Sequence, residues 1–159
     1  IYKPTEWIGR FRQTEGALRV QIYEDKGQGF SEENSYFPEN VYAEEKQAEF
    51  TVHFNGNVHN LRLDPAMCAC VCKIEELVMN GQPVPVQDKK LFTTNGKILK
   101  SEDGAEHPSI VFPTDDPNMT IRVDALDRKA ENVLQVKMEI VPVPVNIAKD
   151  MAGAVKKIF

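Results

Sequence analysis

Three cysteines at alternate positions, Cys68, Cys70 and Cys72, follow closely on a charged pair, Arg62 and Asp64, set in an apolar run. Thiols, a guanidinium and a carboxylate so close in sequence are the raw material of a metal centre, a nucleophile or a polar binding site. Spacing argues against the first. Two thiolates on one zinc ion lie about 3.8 Å apart, given Zn–S bonds near 2.3 Å and tetrahedral geometry. Alternate residues of a strand point the same way but stand about 6.6 Å apart. His53 or His59 would complete such a site only through an unusual arrangement. A catalytic thiolate needs an activating cation and partial exposure, and only Lys73 is at hand. The three cysteines therefore read as small core residues on a buried strand face. Their odd number fits reduced thiols and a cytoplasmic protein.

Arg62 and Asp64 alternate with Leu61 and Leu63, so they occupy the polar face of the same strand. Two readings stand side by side. The pair binds a polar ligand, or it anchors the bend at Pro65 by bonding to itself or to the backbone. Among the aromatic residues, Trp7 and Tyr36 lie outside the clean alternation and are the candidate sugar platforms. Tyr23, Phe37 and Tyr42 are the weaker ones, and ordinary packing is the alternative for each. The candidate ligand-binding set is thus Trp7, Tyr36, Arg62 and Asp64, with no catalytic residue, no metal ligand and no cofactor expected. Asp25, Glu32, Glu33, Asp103, Asp115 and Asp116 are oxygen-rich but match no defined calcium loop, and read as a solvated acidic surface. No Ser/His/Asp arrangement with a nucleophile elbow and no Gly-rich phosphate loop is present.

The elements that must position these groups are strands. Leu18, Val20 and Ile22 alternate with Arg19, Gln21 and Tyr23, and Phe50, Val52 and Phe54 with Thr51 and His53. Cys68, Cys70, Cys72 and Ile74 share a face. Met119, Ile121, Val123 and Ala125 share another, as do Leu134, Val136, Met138 and Ile140. Period-two alternation marks half-buried strands. Asn55-Gly56, Asn80-Gly81 and Asn95-Gly96 are turn dipeptides, because both residue types tolerate positive φ. Seven to nine short strands at this spacing predict an all-β fold, an antiparallel, jelly-roll-like β-sandwich. The sandwich is expected over residues 1–145. A short C-terminal helix or the start of a linker is expected over 146–159, with Asn146 as its cap and Ile147, Met151, Ala154 and Ile158 along one stripe.

The 159 residues suffice for one domain with a real core. A formal charge of −5 with scattered Lys and Arg argues against nucleic acid as a partner. No apolar run is long enough to span a bilayer as a helix. The chain opens on Ile1 without a leader pattern and reads as a domain excised from a longer protein.

Three segments in fixed order carry a resemblance: ALRVQIYEDKGQGFSEENS, FTVHFNGNVHNLRLDPAMCACVCKIEEL and NVLQVKMEIVPV. Together they resemble an accessory β-sandwich domain of large bacterial glycosyltransferases, a group that includes rhamnan synthesis protein F. The resemblance spans about residues 17–141 and is sharpest at LRLDP, Leu61–Pro65, and at GQGFSE, Gly27–Glu32. It implies a jelly-roll-like domain beside a glycosyltransferase domain that does the chemistry of cell-surface polysaccharide synthesis. It supplies no catalytic residues here. The expected role is acceptor carbohydrate binding. The alternatives are a structural interdomain or dimerisation module, or a free-standing jelly-roll carbohydrate-active enzyme, which would need convergent acid, base and metal groups on a concave face.

Overall fold

The computed structural model describes residues 18–38, 46–99 and 107–158, with side chains of the C-terminal helix described through residue 153. The described residues form two antiparallel sheets. In chain order the strands are β1 (Gln21–Asp25), β2 (Ser35–Tyr36), β3 (Gln47–Asn55), β4 (Asn60–Asp64), β5 (Cys70–Met79), β6 (Gln82–Pro83), β7 (Phe92–Thr94), β8 (Lys97–Leu99), β9 (Ser109–Phe112), β10 (Met119–Ile121) and β11 (Glu131–Pro142). Among the described residues there is one α-helix, α1 (Val145–Ile158), which follows β11. The first sheet runs β2-β1-β4-β10-β7. The second runs β3-β11-β5-β9-β8, with β6 hairpinned onto β5.

From β3 onward the main strands alternate between the sheets, and they nest: β3 pairs with β11, β4 with β10, and β5 with β9. That nesting is the jelly-roll arrangement expected from the sequence. β8 departs from it by joining the edge beside β9 rather than pairing with β7.

Alternation explains the core. Leu61 and Leu63 of β4, Met119 and Ile121 of β10, and Leu134, Val136, Met138 and Ile140 of β11 meet in one buried cluster between the sheets. Cys70 and Cys72 belong to it, and the Cys72 thiol lies 3.6 Å from the Met138 sulfur. Burial drives both thiol pKa values upward, to about 12 for Cys72. Cys70 and Cys72 are core residues, as their spacing predicts.

Several expectations change. Cys68 lies in the bend before β5 rather than on its face, and is only half-buried. Within β5 the buried phase shifts. Cys70, Cys72 and Ile74 face inward, but Leu77 and Met79 do so beyond a bulge. Ile74 pairs with Met138 and Glu76 with Lys137, which leaves Glu75 as the extra residue. The run expected from Met119 to Ala125 ends as a strand at Ile121. A 3-10 turn over Val123–Ala125 follows and leaves Ala125 exposed. In β1 both faces are covered: Gln21 and Tyr23, expected outward, are buried.

Turn chemistry divides in two. Asn80 and Gly81, at φ 51° and 81°, make the tight two-residue turn from Met79 to Gln82 that their types predict. Gly96 does different work. It carries the chain from β7 in one sheet to β8 in the other, where a Cβ would stand 2.5 Å from Ile110 Cγ2 and 2.8 Å from the Phe112 ring. Close packing, not positive φ, requires glycine there.

Helix α1 begins before Asn146. Ala148 N donates to Pro144 O at 2.9 Å, so Asn146 sits inside the first turn instead of capping it. Its docking stripe is Ala148 and Ala152, helped by Met151, against Ala69 and Val111 on the outer face of the second sheet. Ile147, assigned to the stripe by its spacing, is exposed. Small residues let the helix approach the sheet closely. No helix among the described residues is long and apolar enough to cross a membrane.

Candidate functional site

The polar outer face of the first sheet is built around Arg62. Its strand β4 lies between β1 and β10, and register places Tyr23 on one side of Arg62 and Thr120 on the other. Gln21 stands opposite Asp64 in the next row. Alternation sends Leu61 and Leu63 into the core, and so sends Arg62 and Asp64 to this face together.

Arg62 and Asp64 form a forked pair, Nε to Oδ1 at 2.8 Å and Nη2 to Oδ2 at 2.9 Å. The guanidinium also lies over the Tyr23 ring, 4.7 Å from its centroid. A third group, Asp116, accepts from Nη2 at 3.4 Å. The two carboxylates differ sharply. The Asp64 side chain is 10% exposed and that of Asp116 is 68% exposed. Burial pushes the Asp64 carboxyl pKa above its ordinary value despite the bonds from Arg62. Burial opposes the charge on Arg62 too, but Asp64 outweighs it and holds the guanidinium pKa up.

A second carboxylate network joins this one at Tyr23. The Tyr23 hydroxyl donates to Glu32 Oε1 at 2.8 Å, and Gln21 Nε2 donates to Glu32 Oε2 and to Ser35 Oγ, both at 3.0 Å. Burial first, then the bond to Glu32, raise the Tyr23 pKa to about 12, while the bonds from Tyr23 and Gln21 lower that of Glu32. Phe30 meets the Tyr23 ring edge-on at 6.4 Å. The turn that delivers Phe30 and Glu32 is tied by Asp25, whose Oδ1 accepts from Gly27 N and Gly29 N at 2.8 and 2.9 Å. Asn60 Nδ2 bonds its other oxygen at 2.8 Å. The segments Gly27–Glu32 and Leu61–Pro65, apart in sequence, thus meet across one aromatic ring.

The loop that presents Asp116 is equally fixed. Asn95 Nδ2 donates to Asp116 O at 2.7 Å, and Asn118 N donates to Asn95 Oδ1 at 3.0 Å. Asp25 and Glu32, expected as solvated acidic surface, are thus hydrogen-bonded anchors, whereas the Asp116 side chain is solvated and its backbone carbonyl ties the loop. Among the described residues no group of three His, Cys, Asp or Glu side chains is placed to hold a metal ion.

Of the residues singled out in the sequence, Arg62 and Asp64 are brought together. Tyr36 is not brought to them. It pairs with Ile22 in register, so it belongs to the opposite side of the sheet, where burial and the nearby Glu24 charge raise its pKa to about 12. Trp7 lies outside the described residues. Tyr23, Gln21, Glu32 and Asp116 complete the site; the sequence marks Tyr23 only as a weaker aromatic candidate and Glu32 and Asp116 only as acidic surface, and gives no signal for Gln21. Tyr23 cannot act as an open stacking platform, because the Arg62 guanidinium occupies its face.

The fold and site define a β-sandwich with a polar, pre-ordered patch on one outer face. No protein-family model, curated protein or solved structure matches this chain.

Proposed function

We propose that this chain is a noncatalytic accessory module of a bacterial cytoplasmic glycosyltransferase for cell-surface polysaccharide, and that it engages acceptor glycan on the outer face of the first sheet. The jelly-roll architecture agrees with the resemblance at Leu61–Pro65 and Gly27–Glu32. The observation that carries the reading is the unequal treatment of the two Arg62 contacts. Asp64 holds Nε and Nη2 through short, sheltered bonds, while Asp116 reaches Nη2 only at 3.4 Å from an exposed side chain. A fixed guanidinium edge beside a solvated carboxylate offers a donor and an acceptor at close quarters. Vicinal sugar hydroxyls satisfy both at once. Thr120 and Thr93, paired in register beside Arg62, extend the row with hydroxyls.

The test is a heteronuclear NMR titration of the chain with bacterial surface oligosaccharides at millimolar concentration. Shift changes are expected at Arg62, Asp116 and Thr120, and Asp116→Ala is expected to weaken them at least several-fold without loss of stability. Silence of these resonances across the oligosaccharides would end the binding reading.

A further inference from the structure

The β3 edge of the second sheet, unpaired among the described residues, carries a self-complementary pattern. β3 is nine residues long and, among the described residues, has a strand neighbour only on the β11 side. Its hydrogen-bonding phase follows from the two ends of the ladder. Gly56 N donates to Ala130 O at 2.9 Å, and Ile140 N donates to Lys46 O at 2.6 Å. Antiparallel bonding alternates along a strand, so even-numbered residues of β3 turn their backbone groups to β11. The odd-numbered residues Gln47, Glu49, Thr51, His53 and Asn55 turn theirs to the open edge. Their side chains are also the exposed ones.

We infer that β3 pairs with β3 of a second copy of this chain, antiparallel about a two-fold axis at Thr51, joining the second sheets of two copies into one. In that register Thr51 faces its own equivalent, Glu49 faces His53 of the other copy, and Gln47 faces Asn55. All are bonding pairs of the required phase. Two carboxylate–imidazole contacts form symmetrically, and opposite polar partners across a pair stabilise a ladder. Shifting the axis to Phe50 or Val52 keeps the phase but shortens the overlap and separates Glu49 from His53. On the core side the same register sets half-buried Phe50 beside Val52 and small Ala48 beside Phe54. Lys137 of β11 flanks Glu49 on the other side and leaves its edge-facing backbone untouched. The strand contains no proline or glycine, the usual means of blunting a long exposed edge, and α1 packs at the far side of this sheet, over β9 and β8. An isologous contact of this kind closes as a dimer. The inference is independent of glycan binding.

Sedimentation equilibrium of the full chain tests it. A monomer–dimer equilibrium is expected. His53→Glu, which sets Glu49 against a like charge, should weaken association at least tenfold. Adding Glu49→Lys to that variant should restore it to within a few-fold. Thr51→Cys should give, on oxidation, a disulfide linking position 51 to itself, because bonding pairs stand about 5.5 Å apart at Cα. A chain that stays monomeric at millimolar concentration, or a dimer indifferent to His53→Glu and not cross-linked at position 51, would overturn the inference.

Discussion

The Arg62 guanidinium lies 4.7 Å from the centroid of the Tyr23 ring, on the neighbouring strand. The stack turns one edge of the guanidinium to Asp64 and leaves the rest of it to Asp116 and solvent. It also explains why a tyrosine on an outer face is buried: its ring is roofed by a cation and its hydroxyl is held by Glu32.

Removal of Arg62 strands Asp64. Arg62→Ala is expected to cost about 2 kcal/mol, the scale of losing hydrogen bonds to a charged group while its partner stays sheltered. Arg62→Lys should recover less than half of that, since an ammonium cannot reproduce the fork. Urea unfolding of both variants checks this, and a loss below about 0.5 kcal/mol for Arg62→Ala would mean that the pair is energetically idle.

Tyr23 sets an alkaline limit. Its folded pKa of about 12 exceeds the ordinary value of 10.0. The folded state therefore holds the phenolic proton more tightly than the unfolded state. The stability this contributes is full below pH 10 and is lost as pH rises through 12. Tyr23→Phe should reduce that alkaline decline, leaving the contribution of Tyr36, and denaturant midpoints from pH 8 to 12 measure the difference.

Thiol chemistry should follow burial. In the native protein a disulfide reagent is expected to leave Cys70 and Cys72 unmodified, with slow reaction at half-buried Cys68. All three should react promptly in denaturant. Rapid native labelling of Cys72 would contradict its place against Met138.

Asn132 is a buried polar hub at the start of β11. It donates to Lys129 O at 2.9 Å and accepts from Lys129 N at 2.7 Å and from Asn80 Nδ2 at 2.9 Å. Asn80 Oδ1 in turn accepts from Val133 N. Asn132→Ala should cost about 2–4 kcal/mol by orphaning several of these groups, and Asn132→Asp should not recover the loss, because its second carboxylate oxygen would face the Lys129 and Phe54 carbonyl oxygens in a buried site. Thermal unfolding of the two variants checks this, and an Asn132→Asp variant close to the parent in stability would show that the donor is not what matters.

Period-two patterning made the inner faces of β4 and β11 readable, and with them the all-β class and the core role of Cys70 and Cys72. The Asn80-Gly81 turn was readable because both residues meet a local backbone demand. The site was readable only as a fragment. Alternation placed Arg62 and Asp64 on one face, but their contacts with Tyr23 and Asp116 come from strands and loops far along the chain.

What the sequence determined by itself was therefore local: which residues alternate, which dipeptides turn, which thiols cannot share a metal. Tertiary structure alone decided the bulge that reverses the phase of β5 at Glu75, the docking face of α1, the side of the sheet that Tyr36 occupies and the company kept by Arg62. The physical reason is common to all four. A strand's own pattern says which side chains share a face, while the choice of neighbour is made by pairing between distant strands, and only that pairing sets what each face meets.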